Sequence, residues 1–378
     1  MIKHVADYHA SRQILCLANT NPALDNLRRH VNHAHCVFST IAQFIKGRTV
    51  GDTYDLVIID ECSTVSNQDM KRVLERARFS LLLLVGDVYQ IEAIRFGNWF
   101  DIARSFLPTT AVFELTHPYR SSSTKLKCLW DSVRNMEDDI LERLADGQFT
   151  SSFDETIFSK KRDDEIVLCL NYDGLYGINN INRFLQATNR NESVSWGIKD
   201  YKVGDPVLFT ESTRFSPLLY NNMKGVIRAI NKDEELSITF DIEIEKAIDQ
   251  IDANRFGLEI VGVSSDGLSI VRFTVYGVSV SDEQDARGLP EDAIVPFQVA
   301  YAVSIHKAQG LEYDSVKIVI STEIEEQITH SIFYTAITRA KRDLTIYWSP
   351  QVEKRVLASL VRRDGHKDAC LLRSICNL

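Results

Sequence analysis

Apolar residues in this chain gather into short runs that end abruptly at polar residues. Gln13–Leu17 (QILCL), Asp55–Ile59 (DLVII) and Leu81–Val85 (LLLLV) are three of them. Each has the pattern of a strand buried on both faces of a parallel sheet. Between the second and third, Met70, Val73 and Leu74 recur at helical spacing within NQDMKRVLERAR. Strand, helix and strand in turn predict a doubly wound α/β domain. Near the N-terminus Ile2, Val5, Ala6 and Ala10 have helical spacing. A second βα series starts near Phe113 and includes Ile166–Leu170 (IVLCL) and a helical stretch at Asn179–Leu185.

From about Ser195 to Pro296 the period changes to two. Ile238, Phe240, Ile242 and Ile244 alternate with Thr239, Asp241, Glu243 and Glu245, and Val271, Phe273 and Val275 alternate likewise after an Asp266-Gly267 turn signal. Such alternation predicts half-exposed antiparallel strands, hence a small β-barrel inserted into the α/β series. The acidic stripe of Asp241, Glu243 and Glu245 is expected to be a solvated face. Phe297–Ser304 and Val316–Ser321 then return to buried-strand composition.

Composition alters this picture little. With 378 residues, 44% hydrophobic and 25% charged, the chain is long enough for two or three domains with substantial cores. No apolar run approaches the ~20 residues of a membrane helix, and the N-terminus has no signal-peptide core, so a cytoplasmic protein without membrane association is expected. Seven cysteines without a CxxC pair argue against a disulfide framework and a zinc ribbon. A net charge of −9 disfavours a dedicated duplex-binding surface. It leaves room for a short single-strand groove served by stacking and a few local cations. The basic clusters Lys160-Lys161-Arg162 and Arg362-Arg363 are read as solvated loops.

Candidate chemistry lies where the strands end. Asp60 and Glu61 close LVIIDECS (Leu56–Ser63), Gln90 closes LLLLVGDVYQ (Leu81–Gln90), and Tyr119-Arg120 stand in FELTHPYRS (Phe113–Ser121). Downstream come VAYAVSIHKAQGLEY (Val299–Tyr313) and FYTAITRAKR (Phe333–Arg342). In this order the five segments resemble motifs II, III, IV, V and VI of superfamily 1 DNA helicases of the RecD-like group, which end in a UvrD-like C-terminal domain. Taken singly, each has a bland reading: an acidic strand end, a loop glutamine, surface arginines in salt bridges, a packed histidine.

The resemblance implies two RecA-like lobes, residues 1–110 and residues 111–194 with 297–378, and an SH3-like insertion at 195–296 that is marked by KVGDPVLF (Lys202–Phe209) and NNMKG (Asn221–Gly225). It implies ATP and Mg2+ as cofactors. Asp60 would hold the metal, Glu61 activate the attacking water and Gln90 sense the γ-phosphate. Tyr119 would stack on adenine, Arg120 and Arg339 supply positive charge from the second lobe, and Gly310 and Glu312 lie at the ribose. Single-stranded DNA, or DNA with a single-stranded tail, is the implied partner. Its contacts would be Thr20 and Asn21 in ANTNPALDNL, Thr40 in STIAQF, Phe96, and Ser304, His306 and Lys307. For Trp99 core packing is the expected role, and Asn21-Pro22 equally reads as a generic helix start.

No Gly-Lys pair occurs in the chain, so the phosphate-cradling loop G-x-x-x-x-G-K-[ST] is absent from it. By resemblance a strand, this loop and a helix precede the Ala18–Leu27 motif. The expectation is therefore an N-terminally truncated helicase or one half of a split gene, inactive alone and completed by a P-loop segment or subunit. Loss of a strand from inside the sheet should leave its neighbours with unpaired edges and exposed apolar faces. The competing expectation is a non-catalytic nucleic-acid-binding or regulatory protein on a helicase fold.

Overall fold

The computed structural model describes residues 1–9, 12–31, 33–47, 53–91, 98–116, 118–210, 214–233, 236–277, 291–322, 328–361 and 365–376. Phe96, Arg362 and Arg363 lie outside them. The chain divides into two compact units: Met1–Ser152, Ala308–Val316 and Glu326–Leu378 form the first, and Phe153–Lys307 with Lys317–Glu325 the second.

The first unit begins with α1 (Ile2–Tyr8), β1 (Ile14–Ala18), α2 (Asn21–His30), β2 (Cys36–Thr40), α3 (Ile41–Lys46), β3 (Thr53–Asp60), α4 (Asn67–Arg76) and β4 (Arg78–Leu84). The four strands are parallel in the order β2-β1-β3-β4. Successive strand side chains point to opposite faces, and both faces are covered. Leu15, Leu17, Val57 and Ile59 pack with Ile41, Met70 and Val73 from α3 and α4. Ile14, Cys16, Leu56 and Ile58 pack with Ala6, Leu27 and Val31 on the other side. Thus the unbroken apolar runs give a sheet wound on both faces. Polar residues set the helix starts: Thr20, Thr40 and Ser66 each accept a backbone N–H of the following turn, Thr40 within a reciprocal capping box with Gln43.

β4 departs from the expected double burial. Leu81 is 47% exposed and Leu82, Leu83 and Leu84 only half-buried, because β3 is the one sheet partner of β4 among the described residues. A second departure lies at residues 112–116, which form no strand, and Phe113 is exposed. That stretch follows α5 (Trp99–Ala103) and leads into α6 (Thr124–Asn135), α7 (Ile140–Gly147) and the short β5 (Thr150–Ser151). Trp99 has the packing role: its indole N–H donates to the Val65 carbonyl at 2.8 Å and its ring lies on the α3–α4 core.

The second unit contains β6 (Glu165–Cys169), α8 (Ile178–Thr188), the hairpin β7 (Ser193–Trp196) and β8 (Lys199–Lys202), then β9 (Pro206–Phe209), β10 (Lys224–Asp233), β11 (Ser237–Ile244), α9 (Gln250–Arg255), β12 (Glu259–Val263), β13 (Ser269–Tyr276), β14 (Phe297–Val299) and β15 (Ala302–Ser304). Six of these strands form an antiparallel sheet in the order β12-β13-β11-β10-β9-β14. Its apolar face closes over Tyr201, Phe209, Phe240, Phe273 and Phe297, whose rings meet at centroid distances of 5.0–6.2 Å. The acidic stripe is only in part the solvated face expected from its alternation: Glu245 is exposed and Glu243 half-buried, but Asp241 is buried. Arg272 grips both oxygens of the buried Asp241 at 2.7 and 2.8 Å, Arg228 pairs with Glu243 at 2.9 Å and Lys224 with Glu245 at 3.2 Å. Basic residues on neighbouring strands therefore neutralise it rung by rung. Asp205, fully buried, accepts hydrogen bonds from Gln186, Asn189, the Lys202 amide and the Tyr301 hydroxyl, tying α8 to the sheet.

β16 (Tyr313–Val319) runs from the first unit into the second, and α10 (His330–Ile337), β17 (Ala340–Tyr347), α11 (Pro350–Ser359) and α12 (His366–Cys376) return to the first. Among the described residues no helix is long and apolar enough to cross a membrane. Cys16, Cys36, Cys62, Cys128, Cys169 and Cys370 are free thiols.

Phe297 touches four of the other core rings, so Phe297→Ala should lower the stability of the second unit by about 3–5 kcal/mol. Urea unfolding followed by the far-ultraviolet signal reads the loss.

Candidate active site

Four parallel strands end along one edge of the first unit's sheet. Ala18 at the end of β1 is in register with Thr40 of β2 and with Asp60 of β3, and Ile59 of β3 with Leu84 of β4. The loops beyond these residues carry Thr20 and Asn21, Asp60 and Glu61, and Gln90. Binding sites of α/β sheets lie at this carboxyl edge. Asn19 stitches two of the loops together by donating to the Thr64 carbonyl at 2.8 Å.

Asp60 and Glu61 form a strained corner. Glu61 is left-handed at φ 54°, a conformation costly for a residue with a side chain, and its amide donates to Asp60 Oδ1 at 2.9 Å. Val85 bridges the adjacent strand ends: its amide donates to Ile59 at 2.9 Å and its carbonyl accepts from Cys62 at 2.8 Å. Gly86 follows, and a Cβ there would lie 2.9 Å from the Phe100 ring and 3.0 Å from the Cys62 amide. No larger residue fits this close approach without a shift.

Asp87 then organises the turn. It accepts the Tyr89 amide at 3.0 Å and the Gln90 carboxamide at 3.3 Å. Gln90 is 7% exposed, and its Oε1 has no hydrogen-bond partner among the described residues. Buried polar atoms are nearly always paired, so this oxygen stands out.

Arg339, just past α10, is 1% exposed. Its guanidinium donates to the carbonyls of Thr335 at 2.9 Å and Leu311 at 3.1 Å and to Thr338 Oγ1 at 3.2 Å. Arg120 donates to Glu312 at 2.6 Å and to the Thr338 carbonyl at 2.7 Å, and Lys341 lies 3.8 Å from the other Glu312 oxygen. The cluster thus joins Asp60, Glu61, Asp87, Gln90, Arg120, Glu312 and Arg339 within one unit.

Its electrostatics are mutual. Burial, then the neighbouring Asp60, pushes the Glu61 carboxyl up to about 7 against the pull of Arg339 and Arg120. Burial also raises Asp60. Burial and repulsion from Arg120 push the Arg339 guanidinium down to about 10, although Glu61 and Glu312 support its charge. Burial alone would raise Glu312, but Arg120 outweighs it and holds the carboxyl below its ordinary value.

The other sequence candidates are placed as follows. Tyr119 is 90% exposed beside Arg120, and Gly310, also exposed, has φ 78°. The hydroxyls of Thr20 and Thr40 serve as helix caps, and Asn21 opens α2. Ser304, His306 and Lys307 belong to the second unit. There Ser304 Oγ accepts the Lys307 amide at 3.2 Å and Lys307 Nζ donates to Gln298 at 2.9 Å. Asp87, Gln309, Tyr334 and Thr335 also stand inside the quoted motifs: Gln309 and Thr335 meet Ile91 and Tyr334 meets Tyr89, partners far off in sequence that no local pattern announces, whereas Asp87 organises its own turn. No cluster of three or more metal-ligating side chains occurs among the described residues.

Comparison with known proteins finds similarity in sequence and in fold. A family model described as an AAA domain matches residues 1–155, and one described as a UvrD-like helicase C-terminal domain matches residues 299–347. The RecBCD enzyme subunit RecD of Mycolicibacterium smegmatis is 24% identical over 344 residues, 82% of this chain and 53% of that protein. RecD of Mycobacterium tuberculosis is 24% identical over 355 residues, 85% of this chain and 54% of that one. The chain therefore spans about half the length of the curated relatives it matches. In fold it is similar to Pif1 helicase from Bacteroides in complex with ADP-AlF3 and ssDNA, with a TM-score of 0.55 at 12% identity over 99% of this chain and 90% of that one. A structure of two coordinating Pif1 helicases at forked dsDNA gives 0.54 at 12% identity, covering 98% and 89%.

A carboxyl raised by folding makes stability fall with pH. Glu61's contribution is complete below its unfolded value of 4.5 and is lost as pH rises through about 7. Stability should therefore decline across this window, and Glu61→Gln should flatten the decline by an amount on the order of 1–3 kcal/mol. Urea midpoints at pH 5 and pH 8 for both proteins read it.

Proposed function

We infer that this chain, related in sequence to the RecD-like helicases of superfamily 1 and in fold to Pif1 helicases, is the ATP-driven motor part of a DNA helicase that moves on single-stranded DNA. The observation that carries the reading is the cluster at the sheet's carboxyl edge. A raised carboxyl, a buried glutamine with an unpaired oxygen and a buried arginine converge there. A module that merely binds nucleic acid has no use for that set.

Glu61, with its carboxyl near 7, is suited to take a proton from water at neutral pH. Gln90 orients that water through its unpaired carboxamide oxygen. Arg339 and Arg120, held by carbonyls and by Glu312, present fixed positive charge where negative charge grows on a transferring phosphoryl group. Tyr119 offers an exposed ring to a purine, with Gly310 and Glu312 toward the sugar. Asp60 suits Mg2+, which binds through one or two carboxylates plus the nucleotide's own phosphates, and the ion when bound neutralises phosphate charge. Thr20, Asn21, Thr40, Phe96, Ser304, His306 and Lys307 are the proposed contacts to single-stranded DNA. The lobe boundaries at residues 110, 194 and 297 and the SH3-like character of the antiparallel insertion belong to the same reading.

The phosphate-cradling loop has no counterpart in these residues. The half-exposed leucines of β4 support a remedy: an apolar strand paired in parallel with β4 would end on the edge that carries Asp60 and Gln90. The phosphate loop following such a strand would complete the site. ATP turnover by the 378 residues alone should be weak. Turnover should appear when the chain is co-expressed with a segment holding an apolar strand and G-x-x-x-x-G-K-[ST], and Glu61→Gln should then cut it by about 10²–10⁴-fold. A single-stranded oligonucleotide whose binding ignores ATP analogues, with or without that segment, would establish the non-catalytic reading instead.

A further inference from the structure

Thr335 lies on α10, fully buried, and does two things at once. Its hydroxyl accepts the Ile91 amide at 2.9 Å, one residue beyond Gln90. Its carbonyl accepts Arg339 Nε at 2.9 Å and the Thr338 hydroxyl at 3.0 Å. One residue therefore holds both the glutamine loop and the arginine, although 244 positions separate Ile91 from Thr335. The surrounding contacts reinforce the same junction. Gln309 donates to the Ile91 carbonyl at 2.9 Å. Tyr89 meets His330 and Tyr334 edge-on at 6.4 and 6.1 Å, with Arg134 over its ring at 4.7 Å. The Gln90 loop is thereby fastened to α10 by side chains, in addition to its own strand.

We propose that Thr335 is a positioning residue that registers Gln90 against Arg339, so that the group orienting water and the group stabilising charge are held as one unit. The proposal rests on the reading of the site given above. A loop of this kind, bound only to its own strand, would sample many positions relative to α10. Fixing its Ile91 amide to the turn that anchors Arg339 removes that freedom before any ligand arrives, which is how a site avoids ordering costs on binding.

The test uses the full chain, wild type beside Thr335→Val and Thr335→Ser. Valine keeps the volume and the backbone carbonyl while deleting the acceptor, and serine keeps the acceptor. Residue-resolved amide exchange without ligand should quicken about tenfold at Ile91 in the valine variant and return to the wild-type rate in the serine variant. In the second arm, run with the chain co-expressed with the phosphate-loop segment, ATPγS with Mg2+ should protect residues 87–91 and 338–340 together in the wild type and serine variant, and should lose that joint response in the valine variant. Unchanged exchange at Ile91, or joint protection that survives Thr335→Val, overturns the clamp. Should the valine variant simply unfold, the serine variant decides: a rate at Ile91 unlike the wild type's overturns the proposal. If ATPγS protects neither segment in the wild type even with the phosphate-loop segment present, the nucleotide-site reading fails, and the ligand-free arm still judges the contact itself.

Discussion

Val85 holds the site together. By donating to Ile59 and accepting from Cys62 it locks the end of β4 to the turn after β3. The carboxylates of Asp60 and Glu61 and the turn of Asp87 and Gln90 thereby start from neighbouring backbone positions. Gly86 makes the approach possible, since a Cβ there would collide with Phe100 and the Cys62 amide. The strained φ of Glu61 belongs to the same corner. Backbone held in such a conformation needs surroundings that over-determine it, and the ladder bonds of two buried strands supply them.

Around this corner the charges are arranged against one another. Three carboxylates, Asp60, Glu61 and Asp87, share a confined space with two guanidiniums. Burial and the neighbouring like charge act on both signs, so Glu61 resists ionising and Arg339 resists holding its proton. Arrangements of this kind are poor stabilisers and good functional poises. Glu312 is the exception: its pairing with Arg120 makes it a firm anion that fixes the arginine in place.

The second unit is built on another principle. Its sheet is held by interlocked aromatic rings on one face and by cross-strand ion pairs on the other, with Asp205 fastening α8 to it. Burial of Asp241 under a two-pronged Arg272 turns what looks like a charged exterior into a paired ladder. Its stability thus derives from contacts across strands, whereas the first unit depends on helices laid over a parallel core.

The sequence by itself determined the parallel strands and their order of appearance, and singled out the candidate residues at their ends. Unbroken apolar runs such as Asp55–Ile59 admit few structures other than doubly covered strands, and the polar residues that end them must lie at the sheet's edge. Asp60, Glu61, Gln90, Arg120 and Arg339 were legible as candidates for that reason and through their ordered motifs, and the fold gathers them in one unit. Period two likewise announced the antiparallel strands around Phe240 and Phe273. Tertiary structure alone decided the rest. Leu81–Val85 has the composition of a central strand, and only its neighbours among the described residues make β4 an edge. Phe113 reads as the start of a strand, yet among the described residues no strand pairs with it and it stays exposed. Asp241 and Thr335 owe their roles to Arg272 and Ile91, residues 31 and 244 positions away. Periodicity reports which way a side chain faces, whereas pairing depends on which distant segment packs beside it, and no local pattern carries that information.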